Sequence, residues 1–178
     1  MDRKSLRKKV IEVLKGAKIN KIGDDIFSAR SVGSQHENLP LILVYTKGES
    51  VDRFDESPKS YERDFGISLE IITTHDTDEQ LADEMDDLSQ LVEDVMERSI
   101  QSDDLFKMVN DYDLTNVAYD TEGDGESPIG KVQLDYNFNY TTDESRVFDG
   151  PGLKRIKSTY KVNGQQSDDA QDTITLDQ

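Results

Sequence analysis

From Tyr61 to Thr74 the chain alternates with a period of two, with Tyr61, Phe65, Ile67, Leu69 and Ile71 on one face and Glu62, Asp64, Ser68 and Glu70 on the other. That pattern is the signature of a strand with one wet face and one buried face. The period then changes. From Asp76 to Ile100 the apolar residues Leu81, Met85, Leu88, Leu91, Val92, Val95 and Met96 recur at three- and four-residue steps, which predicts an acidic amphipathic helix with one buried stripe. Thr77 and Gln80 have capping-box spacing, and Asp76, Asp78 and Glu79 place negative charge at the positive end of the helix dipole. A half-buried strand feeding directly into a half-buried helix predicts an α+β fold.

The remaining elements can be placed around this pair. A first helix is predicted over Arg3 to Lys15, with Leu6, Val10, Val13 and Leu14 inward, a comb of Lys and Arg outward, and Gly16 as its stop. A first strand is predicted over Asp25 to Val32 and a second over Leu39 to Thr46. In the second, Leu41, Ile42, Leu43 and Val44 form a run too apolar for a strand with one wet face, so it is expected to be central or covered on both sides. Lys47 to Ser60 reads as a long hairpin arm or a loop, with Phe54 as its apolar tip and Arg53 and Lys59 beside it. A fourth strand over Asp111 to Tyr119 and a fifth over Ile129 to Tyr140 flank Gly123, Gly125 and Pro128 and are predicted to pair as a hairpin, the fifth burying Val132, Leu134, Tyr136, Phe138 and Tyr140. The expected whole is a mixed or antiparallel sheet of four or five strands packed against two helices, spanning residues 1–141. Residues 142–178 follow as an extended C-terminal arm, where Leu153, Arg155 and Tyr160 are candidate contacts with a neighbour, or as an unattached tail.

Charge is distributed very unevenly. The formal net charge is −17, yet residues 1–21 hold eight Lys or Arg against two acids, and residues 141–178 hold five against seven, which leaves −21 on residues 22–140. A body of that sign repels a nucleic-acid backbone, whose affinity for proteins comes mainly from Lys and Arg displacing counterions. The same acidity also serves solubility or a salty habitat. There is no cysteine, which removes thiol catalysis, disulfides and thiolate zinc sites. The longest apolar run, Leu39 to Tyr45, is seven residues, against the roughly 20 that a membrane helix requires. The basic N-terminus has its apolar residues spaced on a helical face and does not read as a secretion signal.

Motifs that carry chemistry are weak. Asp120, Glu122, Asp124 and Gly125 resemble the front of a calcium loop, but Lys131 stands where the closing Glu belongs and the flanks read as strands, so a polar turn is the expectation. The two histidines, His36 and His75, fall in separate loops with no ligand spacing. No Gly-x-Ser-x-Gly elbow, phosphate loop or dinucleotide fingerprint is present. Asp83, Glu84, Asp86 and Asp87 on the acidic helix would suit divalent metals only if they converged in a pocket, whereas helical spacing spreads them over an exposed arc. No catalytic residue, cofactor or metal is expected.

The order of helix, strand, strand, long arm, alternating strand, acidic helix and closing hairpin resembles the tail terminator proteins of long-tailed, siphovirus-like phages, similar to the lambda-type minor tail protein U family. Local phrasing carries the resemblance too. Leu39-Pro40-Leu41-Ile42-Leu43-Val44-Tyr45-Thr46 is similar to that family's second strand, and Arg63 to Ile72, Asp87 to Met96 and Pro128-Ile129-Gly130 also match its pattern. The likeness covers residues 3–141, and the extension of about 37 residues beyond Thr141 departs from it. It implies a structural virion protein with no enzymatic activity, assembled in the host cytoplasm. A homo-hexameric ring at the head-proximal end of the tail tube would stop tube growth and join the tail to the head connector or stopper protein, while genomic DNA passes through without specific binding. On that reading Lys4, Lys8, Arg53, Phe54, Lys59, Leu153, Arg155 and Tyr160 are candidate subunit or tube contacts. Asp83, Asp86, Asp87, Glu93 and Asp94 are candidates for an acidic lumen or exposed face.

Other classes stay open at this point. A different head–tail connector or neck protein would share the same features. An acidic inhibitor that mimics DNA would use the negative body, although the basic first helix interrupts its surface. A metal-dependent hydrolase would need Asp83, Asp86 and Asp87 to act together.

Overall fold

A computed structural model describes residues 2–28, 39–56, 59–102, 109–122, 128–143, 155–162 and 165–175. The chain divides into two units, Met1–Glu144 and Ser145–Gln178.

The first unit is an α+β domain. Its elements are α1 (Arg3–Ala17), β1 (Ile26–Ser28), β2 (Leu41–Glu56), β3 (Lys59–Thr74), α2 (Asp78–Ser102), β4 (Asp111–Glu122) and β5 (Ile129–Asp143). The five strands make one mixed sheet in the order β1-β2-β3-β5-β4, with β1 and β2 parallel and every other pair antiparallel. Both helices lie on one side of it, α1 packing on β1 and β2, and α2 on β3 and β5.

Local chemistry explains the helix ends. The Asp2 carboxylate caps α1 by accepting from the Ser5 backbone N–H at 2.9 Å and the Ser5 hydroxyl at 2.7 Å. Gly16 does not stop this helix. It runs one residue further, and Lys18 takes the left-handed conformation, donating its N–H to the Lys15 carbonyl. Lys21 and Gly23 are also left-handed, which turns the chain tightly enough to bury Ile19 and Ile22 ahead of β1. At α2 the predicted cap forms, with the Thr77 hydroxyl oxygen accepting from the Gln80 N–H at 3.3 Å and the same hydroxyl lying 3.2 Å from the Gln80 amide oxygen.

The main core fills the space between helices and sheet. Leu6, Val10 and Leu14 of α1 and Leu81, Met85, Leu88, Val92 and Met96 of α2 meet Ile42 and Val44 of β2, Phe65, Ile67, Leu69 and Ile71 of β3, and all five predicted β5 residues. Leu91 is a correction: it is 40% exposed, because the buried stripe of α2 follows Leu88, Val92 and Met96 and leaves Leu91 on its shoulder. Val13 and Val95 are half-buried at the margins. The apolar run in β2 is covered on both faces as expected, since Leu41 and Leu43 join Ile72 in a second cluster on the other side of the sheet. Ser68, predicted on the wet face, is buried there too, and Ser68 is hydrogen-bonded within a polar network.

Of the two readings of residues 47–60, the hairpin arm is the one observed: residues 47–56 extend β2 and 59–60 begin β3, and the paired strands shift register between Thr46 and Glu49 and again between Arg53 and Asp55. Of the predicted first strand, Ile26–Ser28 is observed, and residues 29–32 lie outside the described set. In the second unit β6 (Arg155–Val162) and β7 (Gln165–Thr175) form an antiparallel pair that no periodicity had predicted. Among the described residues no helix is long and apolar enough to cross a membrane.

Candidate functional site

The hairpin arm is anchored by one carboxylate. Glu49 sits on the helix side of β2, its side chain 5% exposed, and accepts from Arg3 Nε at 3.0 Å, Arg63 Nη1 at 2.8 Å and the Tyr140 hydroxyl at 2.6 Å. The bond from Arg3 outweighs burial, and with Tyr140 and Arg63 it holds the Glu49 carboxyl at about 2. Burial, reinforced by the bond to Glu49, pushes the Tyr140 hydroxyl up to about 12. The start of α1 is thereby fixed to the base of the arm, beside an open groove lined by Arg3, Lys4, Tyr61, Arg63, Tyr140 and Thr142.

The opposite face of the sheet carries a second network. Asp135 of β5, 7% exposed, accepts from Lys47 Nζ at 2.6 Å, Ser68 Oγ at 2.7 Å, Gln133 Nε2 at 2.9 Å and Asn116 Nδ2 at 3.2 Å, tying together β2, β3, β4 and β5. Burial alone would raise this carboxyl, but the four donors outweigh it and bring it to about 2. Farther along that face Glu62, Asp64, Asp111 and Asp113 gather around Asn137 and Asn139, which donate to Glu62 and Asp64.

The predicted contact residues fall in three places. Arg53, Phe54 and Lys59 come together toward the end of the arm, where Phe54 is 67% exposed and Arg53 pairs with Glu56 at 3.4 Å. Lys4 and Lys8 lie exposed on α1. Arg155 and Tyr160 lie on β6 of the second unit, and Leu153 is outside the described residues.

The acidic set divides around α2. Asp83, Asp86 and Asp87 are exposed, and Glu93 and Asp94 are half-buried, but the helical winding turns Asp86 and Glu93 toward β4 and leaves Asp83, Asp87 and Asp94 on the back of the helix, opposite its buried line. Glu84 is a further correction, since it is buried and ion-paired with Lys21 instead of lying on the exposed arc. Among the described residues no three His, Asp or Glu side chains are placed to hold a metal ion. Asp120 and Glu122 are on β4, where Glu122 pairs with Lys131 at 2.8 Å, while Asp124 and Gly125 fall outside the described set. His75 Nδ1 accepts from the Asp76 N–H at 2.9 Å, and His36 also lies outside that set.

No family model matches the chain, and no curated protein matches it.

Sequence reasoning missed the two carboxylate networks and the exposed inner face of β4. A signal for the first existed: Asp135 interrupts the otherwise polar-uncharged outward row Gln133, Asn137, Asn139 of β5. Three of its four partners, however, come from positions 19 to 88 residues away and become visible only once the strand register is known.

Proposed function

We propose that this protein is a structural subunit of a viral tail, a terminator that forms a hexameric ring on the head-proximal end of the tail tube, ends tube polymerisation and receives the head connector or stopper. The observation that carries the proposal is the order of elements, with the Leu39–Thr46 strand phrase, the alternating β3 and the acidic α2 in the places that tail terminators of long-tailed phages have them. Its setting would be the virion tail, after assembly in the host cytoplasm.

Two features of the domain support such a role. The arm projects a stiff, paired hairpin whose exposed Val51 and Phe54 offer an apolar contact to a tube or a neighbouring subunit. Two carboxylate-rich faces, the back of α2 with Asp83, Asp87 and Asp94 and the outer sheet face with Glu62, Asp64, Asp111 and Asp113, withhold the cations that bind phosphate. Either one would let DNA slide through a bore without sticking. The reading of the chain as a DNA-mimic inhibitor shares those faces but leaves the lysines of α1 unexplained.

The test is direct. Purified chain added to growing tubes of a cognate tail tube protein is expected to give a six-fold collar at one tube end and to arrest elongation. Tubes that keep growing with no collar at either end would refute the role.

A further inference from the structure

The helix layer leaves part of its sheet bare. On the helix side of β4, Leu114, Val117 and Tyr119 pair in register with the core residues Tyr136, Leu134 and Val132 of β5, yet they are 37%, 38% and 50% exposed. Since β4 and β1 are opposite edges of the sheet, this uncovered strip lies at the far side of α2 from α1.

Charge indicates what fits there. On α2, 100° per residue places Asp86, Glu93 and Glu97 on the flank that meets β4. Ser89 on that flank has its hydroxyl 3.3 Å from the Tyr119 hydroxyl, and Glu93 and Glu97 border a groove with Tyr112, Leu114 and Tyr136. On α1, measured from the buried line Leu6, Val10 and Leu14, the residues Lys4, Lys8, Ile11 and Lys15 form a stripe that the right-handed winding turns away from α2. Among the described residues none of these lysines or acids is in a salt bridge.

The two stripes also match in spacing. Helix α1 runs opposite to β2, with Arg3 bonded to Glu49 and Arg7 to Thr46, whereas α2 leaves β3 beside Gly130 and runs along β5 toward Tyr112. A neighbour related by rotation about an axis along the strands therefore brings its α1 antiparallel to this α2. Read in that sense, Lys15, Lys8 and Lys4 are separated by seven and four residues, as are Asp86, Glu93 and Glu97. With a rise of about 1.5 Å per residue, three ion pairs align over about 16 Å. Heights agree as well: Glu49, which Arg3 holds, is in register through Phe65 and Phe138 with Tyr112, the residue beside Glu97. The neighbour needs no shift along the strands, so the contact can close on itself instead of climbing into a filament.

We infer that α1 of one copy docks between α2 and β4 of the next, pairing Lys15 with Asp86, Lys8 with Glu93 and Lys4 with Glu97. The lysine stems and Ile11 cover Leu114, Val117 and Tyr119 while the ammonium groups reach the acidic rim. The inference rests on the ring reading and specifies its subunit interface.

Charge reversal tests it on the full chain. One variant carries Lys4→Glu, Lys8→Glu and Lys15→Glu, and the other carries Asp86→Lys, Glu93→Lys and Glu97→Lys. Each alone is expected to sediment as a monomer with an unchanged circular dichroism spectrum, and an equimolar mixture is expected to regain the ring mass, because both contacts become complementary again in an alternating ring. A second route uses the absence of cysteine: the double variant Lys8→Cys, Glu93→Cys is expected to oxidise into a ladder of covalent oligomers. Wild-type rings that neither reversal weakens, or a double-cysteine ring without the ladder, would overturn this interface and leave the ring reading intact. A wild-type chain that stays monomeric in solution and at tube ends would instead sink the ring reading itself.

Discussion

Asp135 is the residue on which four strands converge, and Glu49 is the one that fixes α1 to the arm; both carry carboxyls held at about 2. Because each is depressed below its ordinary value of 3.8 or 4.5, each stabilises the fold fully above that value and loses its contribution as pH falls toward 2. At about 1.4 kcal/mol per unit, the two together remove on the order of 5 kcal/mol across that window, a large part of a domain's stability. Urea unfolding measured from pH 5 to pH 2 is therefore expected to show a steep loss of stability, and Glu49→Gln to flatten it. Asp135→Asn is expected to cost roughly 1–3 kcal/mol at neutral pH, since Lys47, Ser68 and Asn116 lose a charged acceptor. A neutral-pH midpoint unchanged by Asp135→Asn would show that the network contributes nothing net. Neither network was legible in the sequence, because a single carboxylate in an alternating strand looks the same whether it faces water or donors from three other strands.

At the scale of elements, periodicity was legible wherever one face of an element is buried. It placed α2, the inner faces of β3 and β5, and the β4–β5 hairpin, and the run from Leu41 to Val44 announced a strand covered on both sides. It failed where the physical cause is not local. It left the arm open between a hairpin and a loop because that stretch is mostly polar, and only cross-strand pairing to β3, and from there to β5, keeps the β2 end extended without a core beneath it. Leu91 looked buried because a three- and four-residue pattern cannot say where the apolar stripe ends. The contrast is measurable: Leu88→Ala is expected to cost about 2–5 kcal/mol, and Leu91→Ala less than about 0.5 kcal/mol. Helix α2 packs tightly on the sheet at Gly130, where an added Cβ would crowd Met85 and come to 3.1 Å from Leu81 Cδ1. Gly130→Val is expected to destabilise by roughly 1–3 kcal/mol in thermal melts through overpacking, and Met85→Ala in the same chain to relieve part of that loss. On the arm, Phe54→Ser is expected to leave the melting temperature unchanged while weakening attachment to tubes, because its ring is mostly in water until something covers it.

For the whole molecule the decisive quantity is the ratio between two electrostatic effects of opposite sign. Each subunit carries a formal charge of −17, so copies brought side by side repel one another over distances comparable to their diameter. The proposed contact between the lysines of α1 and the acids of α2 is attractive and acts over a few ångströms. Salt screens the two in sequence. As ionic strength rises from about 0.01 to 0.1 M the screening length falls from about 30 to 10 Å, which removes the long-range repulsion and spares pairs in contact. Toward 1 M the length drops to about 3 Å, and the pairs weaken as well. Assembly followed by sedimentation is thus expected to strengthen, pass through a maximum and decline. If Lys4, Lys8 and Lys15 are all replaced by Gln, the declining limb should disappear, because apolar cover of Leu114, Val117 and Tyr119 is what remains and salt does not oppose it. Were the wild-type curve to rise without a maximum, the attraction between subunits would have to come from surfaces other than these helix flanks.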